Sequence, residues 1–265
     1  MIQKVRNIAI LLFSVLAFTA CNQPVKQQTV VNNEQELKQA IKEALPGHHI
    51  VMADGVWKDI VVNVTCNGDE KNPITISAQT PGQVFIEGQS CLNIGGDYLV
   101  VEGLYFRNGH TPKDAVIRFR KDKQNVANHC RVTNCVIINY NQPNRSIKDH
   151  WVEFWGRHNQ LDHCYLAGKS NSGPTIRVFL KGNQNILNYH KISNNHFGPR
   201  PRKGGPRGET IQIGDSYTSM CPSYLSVSNN LFEKCNGEVE VISSKSNYNE
   251  FSGNVFYQCE GSLVT

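Results

Sequence analysis

The sequence has only one run apolar enough to interest a membrane, and that run is short, which excludes a chain that crosses a bilayer repeatedly. None of its nine cysteines forms a Cys-x-x-Cys pair, so a structural zinc site of the common kind is excluded. Charged residues are sparse at 18%, and the formal excess is only +5, of which Lys4 and Arg6 supply two. So mild a basic balance argues against nucleic-acid binding and leaves room for an acidic ligand. Helical spacing appears once. Over Glu34–Leu45, Asn32 or Asn33 can cap, Leu37, Ile41 and Leu45 recur on one face, and Pro46-Gly47 stops the run. With 39% hydrophobic residues and 9% aromatics the chain is not disordered, and its 265 residues fit one all-β or solenoid unit.

The single apolar run, Ile8–Ala20, follows the basic Lys4 and Arg6, which is the pattern of a secretory signal. Phe18-Thr19-Ala20-Cys21 then places a cysteine where a bacterial lipoprotein signal is cut and lipidated. The expected organisation is a signal at 1–20, a tether at 21–31 and one folded unit at 32–265. An acylated Cys21 anchors an exported chain to the outer membrane or cell surface through lipid alone. An ordinary signal leaves the chain periplasmic. Eight cysteines then remain in a compartment that permits disulfides.

An internal repeat sets the architecture. Val101–Phe106, Val132–Ile137, Leu161–Leu166, Ile192–Phe197, Val227–Phe232 and Phe251–Phe256 share one template: a large apolar residue at each end and small or polar turn formers between. Their starts are 31, 29, 31, 35 and 24 residues apart. A period of this size means stacked supersecondary units that bury a face against their neighbours. Most gaps hold a second alternating strand: Val152-Glu-Phe, Ile176-Arg-Val, Ile211-Gln-Ile and Val239-Glu-Val. Strands without intervening helices predict an all-β, right-handed parallel β-helix with a short capping helix. The fourth template position holds Leu104, Cys135, Cys164, Asn195, Asn230 and Asn254, so three stacked inward asparagines should bond from coil to coil. Cys135 and Cys164 read as inert core thiols. Cys235 and Cys259, each eight residues beyond a template start, stack as well, with their bonding state open.

On such a solenoid the chemistry lies on an outer strand face. Alternation predicts Val239 and Val241 pointing inward and Glu238 and Glu240 side by side outside, an oxygen pair suited to Ca²⁺ or a plain solvated face. Lys245 has the wrong parity for that face unless the strand bends at Ser243-Ser244. Arg200, Arg202 and Arg207, with Lys203 between them, form a basic loop ahead of Glu209, read as a wall for carboxylate or sulfate groups or as a solvated loop.

These residues resemble the chondroitinase B and alginate lyase group, polysaccharide lyase family 6, from about Glu34 to Thr265. The resemblance rests on Pro46–Trp57, Pro73–Ala78, Gly96–Phe106, Asn159–His163, Gly208–Gly214, and Glu238-Val-Glu240 with Lys245. It implies β-elimination on an acidic, uronate-containing polysaccharide, with alginate first and dermatan or chondroitin sulfate next. Lys245 falls in the position of the base that removes the C5 proton, and Glu238 and Glu240 fall in those of Ca²⁺ ligands. A cation there neutralises the carboxylate beside the acidic C–H and lowers the pKa of a nearby lysine.

The sequence departs from that pattern twice. The family's third calcium ligand is an asparagine just before the Gly-Glu-Thr-Ile run, where this chain has Gly205-Pro-Arg-Gly208. The family's acid is an arginine beyond the lysine, commonly in an Arg-His-Gly run, and none stands between Lys245 and Thr265. The resemblance therefore implies a fragment truncated at its C-terminus and inactive alone. The competing reading is a non-catalytic β-helix that binds glycans or adheres to surfaces.

Overall fold

Short apolar stretches punctuated by turn formers make short strands, and the strands stack. The computed structural model describes residues 27–265, so the signal, Cys21 and the first part of the tether lie outside the described residues. Three parallel sheets of nine, eight and eight strands run the length of the molecule. Each coil lays one strand on each sheet in turn, and every sheet is ordered as in the sequence. This is the expected parallel β-helix. Its N-terminal end carries the helix Glu34–Glu43, capped by Asn33, whose side chain accepts from the Glu36 amide at 2.9 Å, with Leu37, Ala40 and Ile41 buried against the first coils.

The template proves to be a corner. Its first residues lie on the first sheet and its last on the second, and the third position turns the chain in the left-handed region: Gly103, Asn134, His163, Asn194, Asn229 and Gly253 have φ between 52° and 78°. Asparagine tolerates that conformation better than most residues, which is why the template is asparagine-rich. Val101, Val132, Leu161, Ile192, Val227 and Phe251 stack in register on the first sheet. All but Phe251 are essentially fully buried; each such side chain stabilises the fold by about 1.5–3 kcal/mol relative to an exposed one. On the second sheet Phe197, Phe232 and Phe256 stack with ring centroids 4.8 and 4.7 Å apart.

The asparagine ladder forms as expected. The Asn195 side chain donates to Asn230 Oδ1 at 3.0 Å, and that of Asn230 donates to Asn254 Oδ1 at 2.9 Å. Asn195, Asn230 and Asn254 also donate to the carbonyls of Leu161, Ile192 and Val227.

Three local expectations are corrected. The helix stops at Glu43 and Leu45 is exposed, because the residue before a proline is driven out of the helical region. The tether does not reach Val31: Gln28–Val31 is already a strand, paired with His49–Met52. Val239 is 72% exposed rather than inward. The core position beside Ile211 is taken by Ile242, so the strand Glu240–Lys245 sits three residues later in register than the repeat suggested.

Candidate active site

The outer face of the third sheet gathers charge. Between inward residues of successive coils, the outward positions Arg118, Glu153, Arg177, Gln212 and Ser243 lie side by side in register. Arg118 Nε donates to Glu153 Oε2 at 3.1 Å, with both side chains buried. Burial pushes the Glu153 carboxyl up, but hydrogen bonds from His150 and Trp155 outweigh it and hold the group below the usual carboxylate range. Arg177 reaches along the axis, donating to the Gly214 carbonyl at 2.5 Å and to Asp215 Oδ2 at 3.3 Å. Gly214 has φ +67°, and a Cβ there would stand 2.2 Å from the Lys245 carbonyl oxygen, so only glycine lets the two strands pair at that point. Arg177 thus braces the turn that lies against Lys245.

Next to this row stands Lys148. Burial lowers its pKa, and the nearby positive charges of Arg207 and Arg177 lower it further, against the pull of Glu153 and Glu209. Three cations therefore share one stretch of the face.

Glu209, Glu238 and Glu240 form the acidic counterpart. The Glu209 carboxyl is raised, first by burial, with the charges of Glu238 and Glu240 adding to the effect and Arg200 opposing it. Its Oε2 is buried without a hydrogen-bond partner. Glu238 Oε2 accepts from the Gly208 amide at 2.8 Å. Oxygen donors and an orphaned carboxylate atom suit a hard cation in charge. Yet among the described residues no group of three or more His, Cys, Asp or Glu side chains closes into a ready metal cage. Any cation held here draws further oxygens from elsewhere.

The model for the family described as chondroitinase B matches residues 31–265. The fold is also that of alginate lyase AlyGC of polysaccharide lyase family 6, with 45% identity and a TM-score of 0.88 over 89% of this chain and 32% of that one. The chain belongs to the chondroitinase B family. Other members with solved structures are a mannuronic acid specific family 6 lyase from human gut microbiota (33% identity, TM-score 0.84, 89% of this chain, 55% of that one) and a family 6 polysaccharide lyase from Pseudopedobacter saltans (32%, 0.79, 88% and 53%). The chain spans about a third to a half of the length of these relatives. No curated protein sequence matches it.

Within this chondroitinase B family chain the sequence-derived site residues divide. Glu238, Glu240 and Lys245 share one coil, but the strand Glu240–Lys245 pairs without interruption, so the bend expected at Ser243-Ser244 is absent. Lys245 therefore stands at the far end of the strand from Glu240, about 16 Å along the backbone. Arg200 is not part of the outer wall. It is buried, its guanidinium donating to the carbonyls of Gly173 and Glu209 and to Thr175 Oγ1, and burial pushes it down to about 10. It supports the acidic cluster from beneath. Arg202 is exposed and turned toward Glu260, which it meets at 2.7 Å. Arg207 is the loop arginine whose charge acts on Lys148. The cations that sequence reasoning missed are Lys148 and Arg177. Arg177 had a signal: it is the polar member of the alternating Ile176-Arg-Val strand, hence outward by parity. Lys148 had none, since it lies in an irregular segment before the strand His150–Phe154.

Proposed function

We propose that the chain is the catalytic solenoid of an exported lyase that cleaves an acidic, uronate-containing polysaccharide by β-elimination, alginate first and dermatan or chondroitin sulfate second. The observation that carries this reading is the row of charged side chains along the outer face of the third sheet, whose Arg177 braces through Gly214 the strand end that carries Lys245. The names of related lyases and of alginate lyases solved with oligosaccharides point to the same substrate class.

In this reading the cations hold the uronate carboxylate and offset the charge that builds up when the neighbouring C5 proton leaves. The Lys245 amine takes that proton. The C5–H electron pair becomes the C4=C5 double bond, the C4–O bond breaks, and the departing oxygen takes up a proton. Ca²⁺, if bound by Glu238 and Glu240, would supply further positive charge toward the acidic polymer at that end of the strand.

The test is to incubate the full-length protein with alginate and with dermatan sulfate and follow the ultraviolet absorbance of the unsaturated product. Faster growth with alginate is expected. Binding of both polymers with no absorbance from either identifies a non-catalytic glycan-binding solenoid instead. A chelator that leaves activity whole removes the calcium part of the proposal. For location, we propose lipid attachment at Cys21 and export to the outer membrane or cell surface. Incorporation of labelled fatty acid into the wild type but not into Cys21→Ala is the expected result, and equal labelling of both contradicts it.

A further inference from the structure

The stacking of coils brings two pairs of cysteines together. Beyond the paired residues Glu233 and Tyr257 the register continues: the Lys234 amide donates to the Tyr257 carbonyl at 2.8 Å, and Cys259 Sγ donates to the Phe232 carbonyl at 3.3 Å. Cys235 and Cys259 therefore occupy equivalent places one coil apart. Neighbouring strands lie about 4.8 Å from each other, a separation within the range that a disulfide spans. Both thiols bond to backbone carbonyls of this corner, Cys235 to that of Phe197 at 3.5 Å and Cys259 to that of Phe232 at 3.3 Å. Cys135 and Cys164 stack in the same way, but both are sealed in the core. Cys259 is only partly buried, so a reagent in solution can reach it.

We propose that Cys235 and Cys259 are a disulfide site that fastens the coil carrying Glu238, Glu240 and Lys245 to the next coil. The segment the bond closes, 235–259, contains all three of those side chains. The proposal stands on the stacking of the coils and not on the role of Lys245.

The chemistry is thiol–disulfide exchange with an external disulfide, such as oxidised glutathione. The Cys259 thiol is lowered to about 7, chiefly by the neighbouring Cys235 thiol, whereas that same neighbour and burial push Cys235 up. Cys259 is thus the thiolate that attacks one sulfur of the external disulfide and releases the first thiol. Cys235 then loses its proton to solvent and attacks the Cys259 sulfur of the mixed disulfide, releasing the second. Two protein thiols are oxidised and one external disulfide is reduced to two thiols. The bond persists in an oxidising compartment and is undone in a reducing one.

The test is to equilibrate the folded protein with reduced and oxidised glutathione, trap free thiols by alkylation, and map peptides by mass spectrometry. One cross-linked pair containing Cys235 and Cys259 is expected, with Cys135 and Cys164 alkylated only after unfolding. The Tm in the oxidised sample should exceed that in reductant by about 5–10 °C, and Cys259→Ser should erase the difference. Free thiols at both positions in the folded, oxidised sample would overturn the proposal. So would a cross-link between other cysteines, or a 235–259 bond that leaves Tm unchanged.

Discussion

A single buried carboxylate shows how position in the coil, not residue type, decides a role. Asp162 lies one residue before a left-handed corner and is sealed from solvent. It accepts from Arg131 at 2.8 and 2.5 Å, from His163 at 2.6 Å and from Thr133 at 3.0 Å. Burial alone would raise its pKa, but those bonds outweigh it and hold the group below its ordinary value of 3.8. A carboxylate depressed in the folded state contributes stability that is present above the unfolded value and lost as pH falls through the folded one. Asp162→Asn should therefore cost about 2 kcal/mol at neutral pH, and the gap from the wild type should close below pH 3.8 in urea titrations run at a series of pH values. A gap unchanged into acid would show that shape, not charge, matters at this position. Arg200 teaches the same lesson in reverse. Its place in a run of positive charge suggested an exposed wall, but the turn after Phe197 folds it beneath Glu209, and nothing local in the sequence records that.

Among elements, the corner is the most legible unit, because two constraints act on adjacent positions: a left-handed turn at the third and an inward ladder at the fourth. Asn230 sits in the middle of the ladder, giving to Asn254 and Ile192 and receiving from Asn195. Asn230→Leu should cost about 1–3 kcal/mol by leaving those partners unpaired in the core, read from chemical denaturation; a neutral result would mean that the ladder only fills space. At the turn itself, Asn194 has φ +56°. Asn194→Val should cost about 1–2 kcal/mol, whereas Asn194→Gly should be tolerated, so equal losses from both would show that the side chain and not the backbone is needed there. The third sheet was harder to read. Its strands follow loops of differing length, so alternation told which residues face out but not which coil position they fill, and Val239 was assigned an inward place that Ile242 takes.

The whole molecule was legible in outline because a solenoid writes its period into the sequence, and the three parallel sheets follow from that period. Its site was only partly legible. Lys245, Glu238 and Glu240 came from one coil and could be read together. Lys148, Arg177 and Arg207 come from three separate segments, and only stacking makes them neighbours. The two groups divide the work that the proposed reaction requires: cations to hold a uronate carboxylate, and one amine to take the proton beside it. That division gives the measurement that tests the account most directly. In the full-length protein, Lys245→Ala should abolish the ultraviolet signal of elimination from alginate while leaving affinity for the polymer nearly unchanged, because the proton is taken only in the transition state. A Lys245→Ala protein that still cleaves alginate at the wild-type rate would contradict it.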